Sequence, residues 1–255
     1  MNVPALTRAR LWRSFVGNAT PRRAYTLSIA FAGVALCAAA GAQAQVAGSA
    51  SIQSDYRYRG VSLTGGKPAV SLSIAYDHES GLYAGVSAFG ASGADNSVRF
   101  GATGYFGYVA RVSPSTAWDL GVTHSAYEVN APQNSSFGYT EIYTGIVKDH
   151  FSVHLHYSPD YFGQGASTVY VDLDGAYRPS RRWRLFGHVG LLTPIAQPAS
   201  SGSFRERYDL RAGAAAEFAR GEVQLALTST GPDLAYPEGH SQDRAALVVA
   251  ATFFF

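Results

Sequence analysis

The sequence is short of charge, shorter of lysine and almost without cysteine. Only 15% of its 255 residues are Asp, Glu, Lys or Arg; the lysines are Lys67 and Lys148, and the single cysteine is Cys37. A soluble domain usually carries about 25% charged residues, so a lysine- and glutamate-rich helical cytosolic enzyme is excluded. The same scarcity excludes a nucleic-acid binder with a basic face. One cysteine cannot pair within the chain, which rules out a disulfide scaffold. What the sequence holds in quantity is glycine (27), tyrosine (16) and phenylalanine (14). Its length fits one domain.

The first 44 residues read as an export segment. Residues 1–23 carry Arg8, Arg10, Arg13, Arg22 and Arg23 and no acid, and residues 24–54 carry no charge at all. Within them Leu27–Ala38 is an apolar core of signal-peptide length, and Ala42-Gln43-Ala44 has the small-x-small cleavage pattern. We place the cut after Ala44. A membrane anchor fits less well, because the apolar run is short and no stop-transfer charge follows. Arg22-Arg23 lacks the surroundings of a twin-arginine signal, and Leu36 is too large for a lipoprotein box before Cys37. Removal of the five arginines leaves 15 basic against 18 acidic residues, a net of −3. Nucleic acid is therefore not an expected partner. Residues 45–255 contain no cysteine, which suits an oxidising periplasmic route.

Residues 45–255 show segments of about ten residues with period-two alternation, separated by turn signals. In Phe151–Ser158 the residues Phe151, Val153, Leu155 and Tyr157 share one face, and Ser152, His154, His156 and Ser158 share the other. Val169–Gly175, Trp183–Val189 and Glu222–Thr228 repeat the logic. No run approaches the roughly twenty apolar residues of a helical span. Charges fall opposite the aliphatics, as a polar lumen requires. The reading is an all-β, antiparallel, up-and-down transmembrane barrel of about twelve strands: 50–59, 69–78, 82–91, 98–110, 116–127, 139–148, 151–159, 167–178, 182–192, 204–218, 222–230 and 243–255. A soluble sandwich would alternate too. However, short connections (79–81, 113–115, 149–150, 179–181, 219–221) take strict turns with longer ones (61–68, 92–97, 128–138, 160–166, 193–203, 231–242). The short ones are expected in the periplasm and the long ones outside the cell.

Ser54-Asp55-Tyr56-Arg57-Tyr58-Arg59-Gly60-Val61-Ser62-Leu63-Thr64, then Lys67-Pro68-Ala69, then Tyr76 and His78–Gly85, resembles the opening of the TorF family of bacterial porin-like proteins. The sharp match covers about residues 54–90, and Leu63 stands where the family usually has Gln. The resemblance singles out Ser54, Asp55, Tyr56, Arg59 and Gly60, and it implies an outer-membrane barrel of passive transport without naming a solute. The terminal segment Val248–Phe255 resembles the last strand of outer-membrane barrels, whose final Phe the barrel-assembly machinery reads; here that residue is Phe255.

Asp172 and Asp174 share one face of their segment, and Arg182 and Arg184 are expected beside them across the short turn. Arg205, Arg207, Asp209 and Arg211 follow on the next strand. Opposed acids and bases would set a transverse field that selects small charged or polar solutes. The alternative is a salt-bridge network that fills a narrow lumen, since twelve strands enclose less space than the larger porins. Asp55, Arg57 and Arg59 are expected on the lumen face of the first strand. Ser152, His154 and His156, with Asp149 and Asp160 nearby, offer a hydrolase reading. Yet residues two apart on a strand stand about 7 Å apart, too far for a direct Ser–His bond, so no enzyme is expected. His154 and His156 would need a third metal ligand, none stands at a telling spacing, and neither metal nor cofactor is expected. Most of Tyr56, Tyr58, Tyr76, Tyr83, Trp118, Tyr127, Tyr139, Tyr143, Tyr157, Tyr161, Tyr177, Trp183, Tyr208 and Phe255 are expected in interfacial girdles, with sugar stacking as the other use of such rings. The function expected is a diffusion channel for small polar solutes in the bacterial outer membrane; the competing one is a non-conducting structural or surface-binding barrel. Expected partners are outer-membrane lipids, lipopolysaccharide and the assembly machinery.

Overall fold

The computed structural model describes residues 45–92, 98–130, 135–196, 205–231 and 245–255. The expected export segment, residues 1–44, lies outside the described residues, and so do parts of four long connections.

Alternation dictates the architecture. A strand whose odd residues are apolar and even residues polar can bury neither face unless the sheet closes, and closure also removes the unpaired edges. The strands are β1 (Gln45–Gln53), β2 (Arg57–Tyr58), β3 (Val61–Ser62), β4 (Ala69–Asp77), β5 (Leu82–Ser92), β6 (Val98–Ser113), β7 (Thr116–Asn130), β8 (Ser135–Lys148), β9 (Phe151–Ser158), β10 (Ser167–Tyr177), β11 (Trp183–Ala196), β12 (Arg207–Phe218), β13 (Gly221–Thr230) and β14 (Ala245–Phe254). Twelve of them form a closed barrel in which each pairs antiparallel with its sequence neighbour, β1 joins β4, and β1 closes on β14. The seam is held by Ser49↔Phe254 through Gln53↔Ala250, and Phe255 continues it, its N–H donating to Gly48 O at 3.0 Å. The Phe255 ring lies on Gly48 and leaves no room there for a Cβ.

The outer face is aliphatic: Leu72, Ile74, Val86, Val122, Leu155, Leu173, Leu185, Leu191, Leu225 and Leu227 are all exposed. The inner face buries Asp119, Glu141, His154, His156, Asp172, Arg207, Asp209 and Glu222. An arginine on a bilayer face costs about 2–4 kcal/mol at mid-depth, so this partition suits a bilayer outside and water inside. The five short connections stand where the sequence put them, and the weakly patterned segment 98–110 is a full strand. Strands at the other end run further than expected. β7 reaches Asn130 and β8 begins at Ser135, so much of the expected connection 128–138 is wall.

Two expectations fail. The first wall strand is Gln45–Gln53, not 50–59. Residues 54–68 leave the wall after Gln53 and fold inward as the small β2–β3 hairpin, paired Arg57↔Ser62 and Tyr58↔Val61. The reason lies in the outer face. Val46 and Ile52 present aliphatics outward, whereas Ser54, Tyr56, Tyr58 and Gly60 have none to offer a bilayer.

The second failure concerns the aromatics. Tyr58, Tyr83, Tyr127, Tyr139, Tyr143 and Tyr161 are buried inside the barrel, not placed in girdles. Trp118, Tyr157, Tyr177, Trp183, Tyr208 and Phe255 do face outward. Several inward rings lie over a glycine on the neighbouring strand. Tyr105 lies over its pairing partner Gly85, Tyr83 over Gly107 and Tyr143 over Gly121, each leaving no room for a Cβ. A glycine supplies no side chain to pack, and the ring opposite fills its place.

Candidate functional site

The lumen is divided into three polar layers. At the end of the long connections lies the inward hairpin. It crosses the whole bore: Tyr56 stacks on Phe89 of β5 at 3.9 Å, Tyr58 meets Tyr127 of β7 and Tyr139 of β8, and Gly60 abuts Asp209 of β12 and Thr230 of β13. Asp55 organises the hairpin, accepting from Arg57 Nε (2.5 Å), Ser62 Oγ and Thr64 Oγ1 (2.9 Å). Ser54 ties its root to the wall, its Oγ accepting from Val249 N–H at 3.1 Å.

Arg59 is the hairpin's anchor. Its φ of 46° is left-handed, a conformation rare for a residue with a Cβ, and it turns the side chain across the lumen. Nη2 donates to both oxygens of Glu141 at 2.8 Å, with each side chain 1% exposed. The guanidinium lies 3.8 Å over the Tyr170 ring. Burial works against this charge, but the facing Glu141 carboxylate and the surrounding Tyr58, Tyr161 and Tyr139 together outweigh it and hold the Arg59 pKa above its ordinary value. Gly60 follows with φ 77°, and a Cβ there would come within 2.8 Å of Thr230 Cβ. Only glycine allows the hairpin tip to approach the wall so closely. A 3-10 turn at Tyr161–Gly163 completes the layer, packing Tyr161 and Phe162 against Tyr139 at 4.7 Å. Burial pushes the Tyr56 hydroxyl up to about 12.

The middle layer is built of carboxylates, imidazoles and phenols. Register places His154 opposite Asp172, and Asp174 opposite both Ser152 and His188. Asp172 meets His156 Nε2 at 2.9 Å, and Asp119 meets His154 Nε2 at 3.1 Å and accepts from the Tyr83 hydroxyl at 2.5 Å. Asp209 meets His188 Nε2 at 2.9 Å and accepts from the Tyr170 hydroxyl.

Arginine and glutamate make up the third layer, at the short-turn end. Arg184 reaches Glu217 at 2.9 Å and Glu222 at 2.6 Å; Arg178 shares Glu217; Arg211 donates to Gln224 Oε1 at 2.7 Å.

Asp172, Asp174, Arg184, Arg207, Asp209 and Arg211 therefore all point inward as expected, but they do not meet as expected. The strands pair Asp172↔Gly190 and Asp174↔His188, so Arg184 stands four residues, roughly 13 Å, from the position facing Asp174. The five-residue connection 178–182 sets this offset. Arg182 belongs to that turn, is exposed, and lies over the Phe218 ring at 5.7 Å. Asp172 and Asp174 are thus separated from Arg184 along the axis, not opposed to it across one turn. Asp149 and Asp160 sit in turns at opposite ends, so they do not orient His154 and His156; Asp119 and Asp172 do. Glu141, Asp119, His188 and Tyr170 belong to no motif that marks them in the sequence, although their strand parity turns each inward.

Between the hairpin and the wall a cavity of about 50 Å³ remains, lined by Asp55, Arg57, Tyr170, His188, Asp209 and Arg211 among others. That is room for a few waters.

This is an outer-membrane-type β-barrel with a polar, partly filled lumen. Residues 37–254 match a family described as bacterial protein of unknown function (Gcw_chp), and the chain belongs to that family. The description carries neither the TorF name nor a function. No curated protein matches the sequence. Among solved structures the chain is similar to the KdgM porin, with a TM-score of 0.50 and 11% identity, over 82% of this chain and 98% of that one. It is also similar to the COG4313 outer membrane channel from Pseudomonas putida F1 (TM-score 0.45, 15% identity, 82% and 95% covered). A third is the toluene transporter TodX from Pseudomonas putida (0.41, 9%, 85% and 89%). The KdgM likeness is one of fold.

Proposed function

We propose that this protein is an outer-membrane channel for passive diffusion of small polar or charged solutes, narrowed by the inward hairpin 54–68. The observation that carries the reading is the partition of the closed wall, aliphatic outside and charged inside, around a bore that holds an inserted segment. The resemblance of residues 54–90 to the TorF porin-like family supports the same reading, and the hairpin is made of that segment. No enzymatic role is assigned: His154 and His156, which share a strand face with Ser152 and Ser158, are engaged by carboxylates on other strands.

A second reading is a non-conducting barrel. It is favoured by the density of the plug layer, where eight of the ten residues Asp55–Thr64 are buried. Planar-bilayer conductance of the refolded protein decides between them. Discrete conductance steps in the intact chain, with Arg184→Ala shifting preference toward cations, support the channel; a silent membrane overturns it. Insertion is proposed to depend on Phe255, and its deletion should lower the amount inserted without altering export.

A further inference from the structure

Three adjacent strands place four metal-ligating side chains on one patch of the lumen wall. His154 of β9 stands opposite Asp172 of β10; Asp174 follows two residues on, on the same face; His188 of β11 stands opposite Asp174. Ligand atoms of Asp172, Asp174 and His188 lie within 4.8 Å of one another. His154 Nδ1 lies 3.8 Å from Asp172 Oδ1. His154 is 4% exposed, and among the described residues its Nδ1 makes no hydrogen bond. A buried polar atom left in that state is costly, which points to a ligand that completes it.

The opposite edges of both imidazoles are already fixed. His154 Nε2 faces Asp119 Oδ2 at 3.1 Å, and His188 Nε2 faces Asp209 Oδ1 at 2.9 Å. A histidine that binds metal commonly donates its other ring N–H to a carboxylate, which sets the tautomer and turns the free nitrogen to the ion. Here His154 Nδ1 faces Asp172 Oδ1 at 3.8 Å and His188 Nδ1 meets Asp174 Oδ1 at 2.9 Å, a contact that a bound ion would replace. Mixed imidazole and carboxylate donors suit Zn²⁺ and its neighbours, whereas Ca²⁺ and Mg²⁺ take oxygen donors. Asp172 and Asp174 stand two residues apart on one face, and a divalent cation between them would offset their repulsion. The side chains of Asp174 and His188 keep 32% and 13% of their exposure, so the patch is open to the lumen.

We infer that His154, Asp172, Asp174 and His188 form a binding site for a divalent transition-metal ion of the zinc class, with Asp119 and Asp209 positioning the two imidazoles. The site stands whether or not the lumen conducts. Titration of the metal-stripped, refolded barrel with Zn²⁺ tests it. One ion per chain is expected, and Co²⁺ in its place should show the intense visible bands of a four-coordinate ion. His154→Gln and His188→Gln should each weaken Zn²⁺ binding at least about tenfold, and Asp209→Asn by about 10–100-fold. Glu217→Gln, in the short-turn layer, should leave it unchanged. Absence of stoichiometric binding by the folded parent, or an affinity unchanged from the parent's in both histidine variants, overturns the site. Should those variants fail to fold, the parent still decides. Zn²⁺ must protect His154 and His188 from diethyl pyrocarbonate, and equal modification with and without the ion overturns the proposal.

Discussion

Residues 45–53 and 54–60 alternate alike, yet one is wall and the other is plug. In β1, Val46, Ala50 and Ile52 face outward while Ala47, Ser49 and Ser51 face the lumen. In the hairpin segment, Asp55, Arg57 and Arg59 alternate with Tyr56, Tyr58 and Gly60, and four of these six are buried and the other two half-buried. Alternation tells which residues share a face. It does not tell whether the opposite face can meet a bilayer. A wall strand needs aliphatics there, and a segment with hydroxyls and glycine instead is better satisfied inside, where Glu141, Tyr139 and Asp209 supply partners.

The largest effect should come from removing the plug outright. Replacing residues 55–66 with a short glycine linker should keep the twelve-strand wall, because no barrel pairing uses them, and raise single-channel conductance several-fold. Unchanged conductance would mean that the narrowest point lies in the His/Asp or Arg/Glu layer.

Ion pairs in the two end layers should differ nearly as much. Arg59→Ala leaves Glu141 buried without its cation, which costs about 3–5 kcal/mol and should appear as faster amide exchange across residues 54–64. Arg178→Ala removes a pair whose arginine is 33% exposed. Glu217 keeps Arg184 there, so the loss should stay below about 1 kcal/mol. Equal costs would show that the plug pair is wetter than its geometry implies.

Inward and outward glycines give a finer contrast. Gly121→Ala drives a Cβ to 2.5 Å from the Tyr143 hydroxyl, whereas Gly104→Ala meets nothing within 4 Å. Denaturant titration in lipid should find about 1–3 kcal/mol lost for the first and a change within about 0.5 kcal/mol for the second. The smallest perturbation tests orientation. On intact cells an impermeant maleimide should label Lys67→Cys, at the plug end, and not Ser180→Cys, in the opposite turn; reversed labelling would invert the barrel.

Much of the wall follows from the sequence alone. Period-two alternation with charge on one side leaves a closed barrel as the arrangement that satisfies both faces and every backbone group. The alternating connection lengths then order the strands, and parity correctly turns Arg184, Arg207, Asp209 and Arg211 inward. What parity cannot carry is height along the axis, because register depends on how many residues each turn consumes. That is why Asp174 meets His188 and not Arg184, and why Arg182 ends in the turn. Nor can it carry contacts across the bore. Tyrosine has an apolar body and a polar tip and is at home in a girdle or a lumen; the glycine opposite, in the pairs Gly107–Tyr83 and Gly121–Tyr143, decides for the lumen. Arg59 and Glu141 are 82 residues apart and meet only because the hairpin turns inward. Their pairing belongs to the tertiary structure, where closing the wall creates an interior that the chain's own charged segment can enter.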